Sequence, residues 1–186
     1  MGTISGYSQN YLTYEYIIAE FKKLQEKHLA INAFFCGPLE EVDLDKIPNN
    51  QYPILYIEPS SININNYTQE FIFQVAVLDK FEMNETINQN DQKEYHPKTN
   101  YWATYSDMRN KTLNDCYLIL KDITASFIQN FQTISWVNTQ IDLELPINLT
   151  PVSTDYDNML SGWTGTYSVT ANNKNDLCQS MITPNS

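Results

Sequence analysis

Arginine is almost missing from this chain: Arg109 is the only one in 186 residues, and 11 lysines and arginines face 22 aspartates and glutamates. Nucleic-acid grooves neutralise phosphates with Lys and Arg and read base edges with Arg forks, so a net charge of -11 argues against sequence-reading of DNA or RNA. An acidic wall has one use beside DNA, because it repels phosphate and lets a duplex slide without sticking. Glycine is scarce too, with five in the chain. That leaves little material for phosphate cradles or oxyanion loops, and no Walker loop, Gly-x-Gly-x-x-Gly or Gly-x-Ser-x-Gly occurs. No run approaches the ~18 apolar residues of a membrane span. Met1 to Gly6 has neither the basic nor the apolar stretch of a secretory leader. The expectation is a soluble protein with no membrane partner.

Histidine and cysteine are also few. Two histidines, His28 and His96, and three distant cysteines, Cys36, Cys116 and Cys178, offer no Cys-x-x-Cys pair on which zinc could be built. Reduced, inert thiols and neither metal nor cofactor are expected. The acidic pairs Glu40-Glu41, Asp43/Asp45 and Asp155/Asp157 lack the twelve-residue loop of a calcium site and read as solvated turn residues or subunit salt-bridge partners. Nothing in this inventory supports catalysis.

What is present is core material. Hydrophobic residues make up 42% and charged ones 18% of the chain, enough to fold one ordinary domain. Tyr11 to Leu29 carries Tyr14, Ile17, Ile18, Phe21, Leu24 and His28 at spacings of three and four, an amphipathic helix with Ser8 or Asn10 as cap. Ile31 to Cys36 is a short strand or strap closed by Gly37-Pro38. Pro53-Ile54-Leu55-Tyr56-Ile57-Glu58-Pro59 suits a strand that its proline ends or places on an edge, and Ser60 to Asn66 then turns. Tyr67 to Phe81 is the clearest strand, with Phe71, Phe73, Val75 and Val77 on one face and Ile72, Ala76 and Leu78 on the other. Such a strand is explained by helices on one side of the sheet and another subunit on the other. Glu82 to Tyr101, polar and containing His96-Pro97, reads as a protruding contact arm. A second helix spans Ser106 to Phe131 with Ser106 as cap. Strands follow at Ile134 to Val137, Ile141 to Leu145, and Gly162 to Ala171. The expected organisation is a single domain over 1–171 with a polar insertion at 82–101 and a C-terminal arm at 172–186.

Thirteen tyrosines, eight phenylalanines and three tryptophans suit either an aromatic core or surfaces where subunits meet. Pro53-Ile54-Leu55-Tyr56-Ile57-Glu58-Pro59-Ser60-Ser61, the strand around Phe71-Ile72-Phe73-Gln74-Val75, and Gly162-Trp163 ahead of Asp176-Leu177-Cys178 resemble neck ring proteins of crAss-like phages. More broadly, the order of elements resembles the head-to-tail connector and tail-terminator ring proteins of tailed bacteriophages. The resemblance implies an α+β subunit with a mixed or antiparallel sheet packed against two helices. It implies a virion structural protein, assembled in the host cytoplasm as a homo-oligomeric ring, twelve-fold or six-fold, in the neck or head-proximal tail. Its partners would be the adjacent portal, neck or tail ring proteins and the phage DNA passing through without sequence-specific binding. Phe71, Phe73, Val75, Tyr95, His96, Trp102 and Trp163 are the candidate subunit-contact residues; no catalytic residue is implied. The alternative from another class is a small enzyme or ligand-binding domain with a site near His96 and Asp91.

Overall fold

A computed structural model describes residues 13–38, 46–65, 68–80, 101–133, 141–153 and 160–172, with 101–108, 131–133, 153 and 172 described by backbone alone. Helix α1 (Tyr14–Lys27) turns Ile17, Phe21 and Leu24 inward, the face that its spacing of three and four predicts. Its cap is Thr13, whose Oγ1 accepts the Tyr16 N–H at 3.2 Å and so meets one of the orphan donors of the first turn. The expected caps, Ser8 and Asn10, lie outside the described residues. At the other end His28 N–H reaches the Leu24 and Gln25 carbonyls at 3.0 and 3.1 Å.

The chain then returns through β1 (Ala33–Cys36) to β2 (Ile54–Ile64), β3 (Thr68–Lys80), α2 (Tyr101–Thr133), β4 (Ile141–Leu143), β5 (Leu149–Ser153) and β6 (Leu160–Asn172). The six strands form one mixed sheet in the order β1-β2-β3-β6-β4, with β5 also on β6. Among the described strands only β1 and β2 pair parallel. The fold is therefore mixed α+β, a six-stranded sheet with two helices. Thirteen unbroken pairs from Thr68↔Asn172 to Lys80↔Leu160 join β3 to β6, and these two strands are its spine.

Several boundaries differ from those the sequence predicts. β2 does not stop at Pro59. β1 ends at Cys36↔Ile57, and since Ile57 O accepts from Gly37 N–H on the β1 side, alternation aims the Pro59 nitrogen at the same side, where no ladder bond is lost. A register shift between Pro59 and Ser61 takes up one residue, and the strand continues where a turn was expected. Ser106 is not a cap, because α2 begins at Tyr101, five residues earlier. β5 was not anticipated; Pro151 masks it, and the strand is tolerated because it pairs on one side only, with β6. The expected strand Ile134 to Val137, residues 82–100 of the expected insertion and residues 173–186 of the expected arm lie outside the described residues; Tyr101, the expected end of the insertion, opens α2, and Asn172, the expected start of the arm, closes β6.

The main core fills the space between sheet and helices. Ile17, Phe21 and Leu24 of α1 and Cys116, Ile119, Leu120, Ile123 and Phe127 of α2 meet Leu55 and Ile57 of β2, Phe71 to Val77 of β3 at alternate positions, and Tyr167, Val169 and Ala171 of β6. Phe21 stacks on Phe127 at 4.3 Å between ring centroids and meets Tyr167 edge-on at 6.1 Å, the offset and perpendicular geometries that aromatic quadrupoles favour. A second, smaller cluster lies on the opposite face of the sheet, where Ile47 and Tyr52 cover Ile54, Tyr56, Ala76, Leu78 and Leu160.

Candidate subunit-contact surface

That second cluster changes what β3 means. Both faces of the strand are covered at Ala76 to Leu78, as its two-sided apolar pattern requires, but the cover on the second face comes from residues 46–52 of the same chain rather than from a neighbouring subunit. Phe71, Phe73 and Val75, expected at a subunit contact, point to the helices and are fully buried within one chain. Phe73 is held between Tyr14, stacked at 6.0 Å, and Phe21, edge-on at 6.4 Å. They are core residues and present no surface to a partner. Trp163 is half-buried; its indole N–H donates to the Leu113 carbonyl at 2.8 Å and its ring meets Tyr117 edge-on at 6.4 Å, so it pins β6 to α2. Tyr95 and His96 lie outside the described residues, and of Trp102 only the helical backbone is described.

Among the described residues, the surface left open lies on the second face, beyond the 46–52 cover. Paired residues in adjacent strands share a face, which sets Ser61 and Asn63 of β2, Glu70, Ile72 and Gln74 of β3, and Thr166, Ser168 and Thr170 of β6 side by side. Their side chains are already bonded across the strands. Asn63 Nδ2 donates to Glu70 Oε2 at 2.8 Å, Ser168 Oγ donates to Glu70 Oε1 at 2.5 Å, and Gln74 Nε2 donates to Thr166 Oγ1 at 2.9 Å. The hydrogen bonds from Asn63 and then Ser168 hold the Glu70 carboxyl below its ordinary range, against a smaller opposing effect of burial. The result is a three-stranded plate of polar groups bonded to one another across the strands. Sequence pattern reveals only half of it: Thr164 to Thr170 alternate on β6, but Ile72 interrupts Glu70 and Gln74 on β3 and hides the polar row there.

Cys116 is buried with its thiol against the Ser161 carbonyl at 3.7 Å, and burial first, then the Asp79 and Asp115 carboxylates, push its pKa up to about 12. Such a thiol is neither a ready nucleophile nor a ready ligand. Cys36 is exposed, 3.5 Å from the Tyr14 hydroxyl. His28 Nε2 stands 3.9 Å from Asp122 Oδ2, a contact between α1 and α2. Among the described residues no three His, Cys, Asp or Glu converge on a point that could hold a metal ion, and no helix is long and apolar enough to cross a membrane. Compared with models of known protein families and with curated protein sequences, the chain matches none.

Proposed function

We propose that this protein is a structural virion component of a tailed bacteriophage, forming a homo-oligomeric ring in the neck or head-proximal tail that joins head to tail and lines the DNA channel. The observation that carries the reading is the plate on β2, β3 and β6: polar side chains already bonded across the strands, with the Glu70 carboxylate held in its ionised form by hydrogen bonds from its own chain. Preordered side chains lose little entropy on contact. Ring closure requires heterologous contacts whose rotation divides the circle, and a sheet face meeting the helical side of the next copy supplies two different patches of that kind. The charge of -11 with a single arginine agrees with a channel wall that lets DNA pass without gripping it. The mixed α+β fold is the class that the resemblance to phage ring proteins implies.

The test is imaging. The purified chain, mixed with its portal-side ring partner at moderate salt, should give closed rings in negative-stain electron micrographs. Thr166→Glu, which adds a negative charge to the plate, should reduce ring number while far-UV circular dichroism stays unchanged. A wild-type chain that remains monomeric at every salt concentration overturns the proposal.

A further inference from the structure

His28 stands where α1 ends, and its two ring nitrogens have different neighbours. Nδ1 accepts the Ala30 N–H at 3.2 Å, so it carries no proton, and the single proton of the neutral ring belongs to Nε2. Nε2 stands 3.9 Å from Asp122 Oδ2 on α2. That distance is too long for a hydrogen bond but within the range of an ion pair once the ring is charged. An imidazolium has two N–H groups and no acceptor. Whichever way the ring turns, protonation therefore takes away the partner of the Ala30 amide.

We propose that His28 is a pH-operated tie: neutral, it holds the Ala30 N–H and fixes the turn that leads from α1 toward β1; charged, it releases that turn and pairs with Asp122, joining α1 to α2. Imidazole changes its charge between about pH 8 and pH 5, and that is the working range of the device. Among the described residues, Asp122 is the charged group that faces the ring from α2, with Lys121 beside it in the chain. Glu26 and Lys27 precede the ring on α1, and residues 29–38, the turn and β1, carry no charge. The carbonyl end of α1 adds a partial negative charge where the imidazolium forms.

The release stays local. Ile31 N–H bonds to the His28 carbonyl at 3.3 Å, the Ile31 carbonyl accepts from Gln25 Nε2 at 3.1 Å, and the Ile31 side chain is buried in the main core. None of these contacts uses the imidazole. What protonation frees is Leu29 and Ala30, and Leu29 is the most exposed large apolar side chain among the described residues. Acid thus loosens an apolar tip while the two helices below it gain a charge pair. The inference is independent of the ring proposal.

Nuclear magnetic resonance of the full chain decides it. At pH ~8, long-range proton–nitrogen correlation of the ring should show Nε2 protonated and Nδ1 bare; the opposite tautomer overturns the proposal. From pH ~8 to pH ~5 the Ala30 amide should lose about fivefold of its exchange protection, the worth of one ordinary hydrogen bond, in step with the ring signals and after correction for intrinsic exchange. The Ile31 amide should keep its protection. His28→Leu offers no acceptor and should hold Ala30 at its acid-state protection at both pH values; a pH response that survives this substitution overturns the proposal. Should that variant not fold, the tautomer and the Ala30 response of the unaltered chain still decide. Asp122→Asn should lower the urea midpoint at pH ~5 and leave it unchanged at pH ~8, and an equal loss at both overturns the pairing.

Discussion

Gly162 faces Leu78 across the β3–β6 ladder, and a Cβ built on it would stand 2.0 Å from the Val77 carbonyl oxygen. The clash is with backbone on the sheet's spine, which no rotamer change relieves, so Gly162→Ala should destabilise the fold by about 3 kcal/mol or more, read as a lower urea midpoint. Asp79 acts at the same end of β3. Its pKa is raised first by burial and further by the Asp115 charge, while the Lys80 N–H at 2.8 Å from Oδ1 works the other way. A carboxyl that holds its proton more tightly folded than unfolded favours folding at low pH, and that contribution is lost as pH rises through the folded pKa. Asp79→Asn should therefore be more stable than the parent at neutral pH, with the advantage shrinking toward pH ~4, near the unfolded carboxylate value. Urea midpoints at the two pH values measure it; an equal gain at both contradicts the assignment. Glu70 has the opposite sign, since a lowered folded pKa contributes stability that is lost as pH falls through it.

Among the elements, β3 shows both the reach of pattern reading and its stopping point. Alternation correctly sorts Phe71, Phe73, Val75 and Val77 onto one face, and that face lies under α1 and α2. A charge there lands in the monomer core: Phe73→Asp should lose native helix content outright, by more than ~4 kcal/mol. A folded variant that only fails to assemble would return Phe73 to a subunit contact. The helices were legible because a 3.6-residue period persists over several turns in both. Their ends were not. Thr13 wins the α1 cap because its side chain meets the Tyr16 N–H, and Ser106 is overridden because the chain before it is already helical from Tyr101. Two prolines obscure lengths of strand for one reason. Pro59 and Pro151 look like strand breakers, but each sits on a length of strand paired on one side only, where a missing N–H costs no ladder bond. The polar plate was legible on β6 alone, since its rows come from three strands whose registers no single stretch of sequence contains.

For the whole molecule, charge bears on the proposed assembly. With a net charge of -11, two copies of the chain repel one another over a Debye length, about 10 Å at 0.1 M salt. Ring yield should rise as salt increases from low to moderate, measured by mass photometry across a salt series. Assembly that weakens with added salt would mean that opposite-charge pairs hold the subunits, and would contradict repulsion as the barrier. Composition fixed that sign without any coordinates, because net charge is a sum over residues and does not depend on the fold. Periodicity likewise determined two amphipathic helices and the inward face of β3, because each depends only on neighbours in the chain. The fold alone decided that residues 46–52 cover Ala76 and Leu78, that Asn63, Glu70 and Ser168 meet, and that β1 stops opposite Ile57, short of Ile62 and Ile64. Each of these depends on which strands pair, and pairing is settled by contacts between residues far apart in sequence.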